Sequence, residues 1–187
     1  MSFKKKKTYK SAVVIIPPEE CWPPIQAIRG KIDTHFRRWM PHINLLYPFR
    51  PRDEFEPMAE KFNLLCRDVK SFDVTLGEFR SFSYGKENYT LWLAPQPKET
   101  LMALQNLLWR LVPDCNEVRR FENGFTPHLS VGQSKGKGAT EALIQALQET
   151  WKPIRFTVKE ICMIWRNDPP DDVFRAAHKI ALKVDTP

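Results

Sequence analysis

The sequence has no apolar run approaching the roughly 20 residues that a membrane-spanning helix needs, so nothing in it reads as a transmembrane segment. It has no C-x-x-C pair either: Cys21, Cys66, Cys115 and Cys162 lie more than forty residues apart. That spacing speaks against a structural zinc site and against a disulfide-stapled secreted domain, and leaves reduced, mostly buried thiols. The G-x-x-x-x-G-K-[ST] loop of nucleoside triphosphate binders is missing; "SKGKG" at 134–138 has lysines without the spacing. Acidic residues are absent from the first ten positions, which hold five lysines, Lys4 to Lys7 and Lys10. Those five supply most of the net charge of +7, leaving +2 for residues 11–187. A long nucleic-acid track would show a basic stripe along the whole fold. Residues 1–10 therefore read as a basic flexible tail, and a small or terminal phosphate suits the nearly neutral body better than a duplex. The apolar "AVVII" behind the lysines stops at Pro17-Pro18, too short for a signal peptide. The expectation is an intracellular protein, cytoplasmic or nuclear.

What is present is the composition of a globular chain, 42% hydrophobic and 27% charged. Its 187 residues suit one domain over 11–187, built of two small lobes sharing a cleft. "SAVVII" (11–16) reads as a buried strand and "PPIQAIRGKI" (23–32) as a helix opened by proline. Apolar residues recur at helical spacing over 53–69, 97–112 and 140–151. "SFDVTLGEFRSFSYG" and "NYTLWLAP" form a hairpin about Gly85. "SKGKG" reads as a flexible loop, and "IRFTVKEICMIWRN" with "DVFRAAHKIALKV" as a closing hairpin around "DPPDD".

Two short stretches carry chemistry. In "PHINLLYPF" (41–49) strand alternation sets His42, Asn44 and Leu46 on one face and Ile43, Leu45 and Tyr47 on the other. In "PHLSVG" (127–132) it sets His128 and Ser130 against Leu129 and Val131. A lone strand histidine is usually a hydrogen-bonded core residue. Here each copy follows a proline, precedes a small polar residue by two positions, and heads a similar succession of elements. "FDVTLGEF" comes 30 residues after His42 and "FTVKEICM" 28 after His128, each across one amphipathic helix. The chain thus reads as two strand–helix–hairpin units whose histidines face each other across a cleft. Two imidazoles so placed can serve as general acid and general base, and Asn44 and Ser130 can each donate a hydrogen bond to a phosphate oxygen. A serine nucleophile is less attractive, with no acidic residue nearby in sequence to orient a triad.

The paired strands resemble the H-x-[ST]-x motifs of the 2H phosphoesterase superfamily, the group of 2′-5′ RNA ligase-like proteins, cyclic nucleotide phosphodiesterases and RNA-end-processing enzymes. "HLSV" (128–131) fits the motif; "HINL" (42–45) departs from it, with Asn44 where the family usually has threonine or serine. The resemblance runs from the first strand to the closing hairpin. It implies an α+β fold of two antiparallel sheets facing a central cleft with helices outside, and chemistry that needs no metal and no cofactor. It also implies a phosphodiesterase acting on a 2′,3′-cyclic phosphate or 2′-5′ linkage at an RNA 3′ end or small nucleotide. His42 and His128 would be catalytic, and Asn44 and Ser130 would bind the phosphate. A monomer with no membrane partner is expected. The alternatives are a catalytically weak RNA-end-binding module and a phosphodiesterase for a non-nucleotide metabolite.

Further candidates are weaker. Tyr47, Phe49, Phe121, Phe125 and Trp165 could stack a base, and Arg38, beside His35, Arg37 and Trp39, could contact substrate. His178 reads as a satisfied core histidine, and Asp168, Asp171 and Asp172 as solvated residues of a proline-rich turn.

Overall fold

Ser11–Ile15 (β1) is buried at every position, as a strand flanked on both sides must be. Around it the computed structural model, which describes residues 6–115, 117–119 and 124–184, arranges seven further strands and four helices. In chain order these are α1 (Trp22–Ile32), β2 (Ile43–Leu46), α2 (Phe55–Cys66), β3 (Phe72–Tyr84), β4 (Asn88–Gln96), α3 (Lys98–Trp109), β5 (Leu129–Lys135), α4 (Lys137–Thr150), β6 (Ile154–Val158), β7 (Glu160–Trp165) and β8 (Arg175–Ala181). Two four-stranded antiparallel sheets result, ordered β2-β1-β7-β8 and β5-β4-β3-β6. Each helix turns an apolar stripe inward: Phe55, Met58, Phe62 and Cys66 of α2, and Leu101, Leu104 and Leu108 of α3. α2 packs on β8, α3 on β2, α1 on β5 and α4 on β3. Among the described residues no helix is long and apolar enough to cross a membrane.

Two antiparallel sheets with helices outside, built from two repeat units, are the fold expected, and the units interlock. The β3–β4 hairpin of the first unit pairs with β5, the histidine strand of the second. The β7–β8 hairpin of the second joins β1 and β2, the strands around the first histidine. The units exchange hairpins, and each sheet draws on both halves of the chain.

Three local expectations change. "SKGKG" is not a flexible loop: Ser134 and Lys135 end β5, and Lys137 opens α4. Gly136 makes the whole turn alone at φ +80°, a conformation that favours glycine. Its carbonyl accepts from both the Thr140 amide (3.0 Å) and hydroxyl (2.8 Å). The stretch "IRFTVKEICMIWRN" is two strands, because the chain leaves one sheet at Val158 and enters the other at Glu160. The Lys159 carbonyl meets the Leu182 amide at that crossing. The basic stretch 1–10 is also not free at its described end. Thr8 pairs with Phe49, and Lys10 meets Asp168 at 2.5 Å; Lys4 and Lys5 lie outside the described residues.

Candidate active site

β2 and β5 are edge strands of their own sheets and touch each other, so the stretches leading into them are neighbours. His42 and His128 each sit one residue before their strand begins. Their surroundings repeat. The His42 Nδ1–H donates to the carbonyl of Met40, two residues back, at 2.7 Å, and the His128 Nδ1–H to the carbonyl of Thr126, also two back, at 2.8 Å. A carbonyl can only accept, so in both rings the proton is on Nδ1 and Nε2 carries the lone pair. The pseudo-symmetry continues in the strands. Each has a β-bulge one residue beyond the polar partner, at Leu45 after Asn44 and at Val131 after Ser130. Bulges of this kind re-aim side chains beside active sites.

The first bulge corrects the simple alternation. Leu45 and Leu46 both enter the core, and Tyr47 comes round to the face of Asn44. Asn44, Tyr47, Thr126, His128 and Phe82 line a cavity of about 270 Å³, closed by Tyr9, Glu117 and Val118. A larger cavity of about 680 Å³ beside Pro18, Trp22 and Cys162 contains neither histidine, so size does not locate this site.

Aromatic rings hold both imidazoles. Trp39 stacks on His42 at 4.5 Å and on Phe174 at 3.6 Å. Phe82 meets His128 edge-on at 5.0 Å and stacks on Trp92 at 4.6 Å. Burial is the main cause that pulls the His42 pKa down to about 4; the Met40 carbonyl acts the other way, and the charges of Arg29 and His128 lower it further. Burial likewise lowers that of His128, against the pull of the Thr126 carbonyl. Both rings are thus neutral at pH 7 with Nε2 as the proton-accepting atom. Asn44 Nδ2 donates to His42 Nε2 at 3.2 Å, while its Oδ1 is buried without a hydrogen bond. Ser130 stands opposite Trp92 and is partly exposed; neither it nor His42 is among the residues lining the cavity.

Of the residues expected to touch substrate, Tyr47 lines the cavity and its hydroxyl donates to the Tyr9 carbonyl at 3.3 Å. Phe125 is buried in the core. Trp165 pairs with Ser11, on the side of β1 opposite Val14 and Asn44, with the Arg52 guanidinium 3.7 Å over its ring. Arg38 binds Asp172 at 2.7 Å, together with Arg37. Asp172 is therefore not a solvated turn residue; it is 1% exposed, and the two guanidinium groups hold its carboxyl below the usual range, Arg37 foremost. His178 lies on the α2 side of its sheet, against Phe55 and Glu56. Phe49 is buried beneath α2, and Phe121 lies outside the described residues. Phe82, Trp92, Tyr9 and Glu117 went unforeseen: they reach the site from distant elements, and nothing in their local spacing marks them.

The chain is similar to known proteins in sequence and in fold. A protein of Geobacillus kaustophilus assigned as a phosphoesterase is 26% identical over 125 residues, 66% of this chain and 69% of its own. A Bacillus mycoides relative assigned likewise is 25% identical over the same shares. Among solved structures, E. coli LigT complexed with 3′-AMP matches with a TM-score of 0.63 at 17% identity, covering 95% of this chain and 99% of its own. TT0787 of Thermus thermophilus matches with a TM-score of 0.61 at 16% identity, covering 97% of this chain and 100% of its own. The family model of the 2′-5′ RNA ligase superfamily matches residues 17–170, a span that takes in both histidine strands and the β3–β4 hairpin and ends between β7 and β8. Motif, exchanged-hairpin fold and family match agree, and the chain belongs to the 2′-5′ RNA ligase superfamily of 2H phosphoesterases.

Proposed function

We propose that this protein is a metal-independent phosphodiesterase acting on a 2′,3′-cyclic phosphate or a 2′-5′-type linkage, at an RNA end or on a small nucleotide. Family membership supports the general class, a phosphoesterase-type hydrolase. The observation that carries the reading is the mirrored pair of Nδ1–carbonyl hydrogen bonds at 2.7 and 2.8 Å. That pairing leaves two oriented Nε2 atoms to handle protons. One Nε2 takes a proton from water as its oxygen attacks phosphorus. The other ring, protonated when the anionic substrate binds, gives its proton to the leaving ribose oxygen as the P–O bond breaks. Asn44 and Ser130 donate to the phosphate oxygens, and Tyr47 supports the base. Among the described residues no group of three His, Cys, Asp or Glu side chains is placed to hold a metal ion. The same fold in E. coli LigT has been solved with 3′-AMP and with phosphate, the ligand class proposed here. The protein works as a monomer on this reading.

One observation favours the second reading, a binding module with little turnover: the Asn44 amide engages the Nε2 lone pair that a base would use. A panel separates the two. It comprises 2′,3′-cyclic nucleotides, cyclic-phosphate-ended RNA, 2′-5′ oligoadenylate and 3′-5′ oligonucleotides, with product phosphates identified and EDTA present. Hydrolysis of a cyclic or 2′-5′ substrate is expected. Retention of cyclic-phosphate RNA without consumption would instead establish the binding module, and activity lost to EDTA and restored by a divalent ion would refute the two-imidazole mechanism.

A further inference from the structure

One carboxylate lines the cavity that also holds Asn44 and His128, and it does not suit a phosphate. The Glu117 side chain is only 16% exposed, and it is fixed: its Oε2 accepts from the Tyr9 hydroxyl at 2.5 Å and its Oε1 faces the Lys7 ammonium at 3.4 Å. The turn that carries it is anchored two ways. Lys7 Nζ also donates to the Asp114 carbonyl at 2.8 Å, and the buried Arg50 clamps the Asp114 carboxylate in bidentate fashion at 2.6 and 2.7 Å. A carboxylate repels a phosphate, so Glu117 marks the end of the cavity away from the phosphate. The walls at that end are the rings of Tyr9 and Tyr47, set edge to face at 5.6 Å, while Phe82 lies at the His128 end; the volume, about 270 Å³, lies just below the ~300–1,000 Å³ typical of ligand pockets. Flat aromatic walls beside a fixed carboxylate make a place for one ring system whose edge donates hydrogen bonds.

We infer that Glu117 reads the base of the bound nucleotide and selects guanine, a proposal that rests on the phosphodiesterase reading for the phosphate end of the same pocket. The chemistry of the bases decides the choice. Guanine alone presents two adjacent donors, N1–H and the N2 amino group, on its Watson–Crick edge, matching the two acceptor oxygens of a carboxylate. In adenine and cytosine the amino donor sits next to a ring-nitrogen acceptor, and in uracil the single N3–H lies between two carbonyls. Each would set a lone pair against Glu117. A carboxylate oxygen accepts more than one hydrogen bond, so the bonds that orient Glu117 are compatible with reading a base. Lys7 and Tyr9 belong to the segment leading into β1, which thereby becomes part of the specificity pocket.

The test measures, on the same preparations of the full chain and its Glu117→Gln variant, two things for all four bases: kcat/KM on the nucleoside 2′,3′-cyclic phosphates, and Kd for the nucleoside 3′-monophosphates. Because each comparison is a ratio within one preparation, an altered folded fraction cancels. The wild-type protein should prefer guanine by about 10-fold or more, the scale of a bidentate base contact. Glu117→Gln, which can still accept from Tyr9, should bring that ratio to within about threefold of unity. Guanine-selective binding that depends on Glu117, without turnover of any cyclic phosphate, would sustain the inference while the catalytic reading falls. Turnover with no guanine preference, or a preference that Glu117→Gln leaves intact, would overturn it and leave the catalytic reading standing. Equal binding of the four monophosphates with no turnover would sink both.

Discussion

Asn44 is the residue at which this chain departs from the family pattern, and its geometry gives the departure a meaning. Its amide donates to His42 Nε2, which favours the neutral imidazole and so works in the same direction as burial. A threonine hydroxyl can likewise donate one hydrogen bond to a phosphate oxygen, so Asn44→Thr should keep kcat within a few-fold. Asn44→Ala should lose about 2–4 kcal/mol of transition-state stabilisation, the scale of one lost oxyanion donor. Asn44→Asp should be worse than alanine: the carboxylate repels phosphate and raises the His42 pKa by favouring the imidazolium. If kcat in Asn44→Asp equals that of the wild type, Asn44 has no part in the site. The lowered His42 pKa also predicts a stability effect. Between pH 6.5 and about 4 the unfolded chain protonates this histidine and the folded chain resists, so the stability present above pH 6.5 drains away as the pH falls toward 4. Thermal melts across that window should fall less steeply for His42→Gln than for the wild type, and parallel slopes would contradict the assignment.

At the level of elements, the end of α1 ties together the two segments that carry the histidines. The buried Arg29 binds Asp33 at 2.8 Å and the Trp39 carbonyl at 2.9 Å, and Trp39 is the ring stacked on His42. Gln133 of β5 accepts from the Thr34 amide at 2.9 Å. One helix end thus grips both the loop before His42 and the strand after His128. Gly132 makes the close approach possible, since a Cβ there would stand 2.5 Å from the Ile32 side chain and 2.7 Å from its carbonyl oxygen. Gly132→Ala should therefore cost about 1–3 kcal/mol in denaturant unfolding, the range for overpacking a tight contact, and lower kcat by displacing His128. A variant with wild-type stability would show that α1 and β5 have room to part. These elements were legible in the sequence where one period ran unbroken, as in β1, α2 and α3. The face of Tyr47 was not, because a bulge at Leu45 leaves no mark in an alternating apolar pattern. The site's backbone could be read from two proline–histidine motifs. Its walls could not: Phe82 and Trp92 reach His128 from another unit, and Glu117 reaches the cavity from a turn far along the chain.

Over the whole molecule the repeat was visible in the spacing of similar segments, while the exchange of hairpins was not, because spacing says nothing about which copy a hairpin pairs with. The exchange means that residues 11–187 stand or fall together as the single domain we propose. A fragment ending after α3 would leave β1 and β2 without β7 and β8, and the remainder would leave β5 without β4. Neither half should show a cooperative melt alone, whereas the full chain should unfold in one transition; an independently folded half would contradict the exchanged topology. The same exchange brings each histidine strand into a sheet completed by the other unit, and the central claim is that this placement serves acid–base catalysis by a pair. The most direct measurement is single-turnover hydrolysis of a 2′,3′-cyclic nucleotide by the wild type, His42→Ala and His128→Ala, with far- and near-UV circular dichroism confirming the fold of each. Each substitution should lower the rate by about 10²- to 10⁴-fold, the usual contribution of a general acid or base. A folded variant that turns over substrate at the wild-type rate would contradict it.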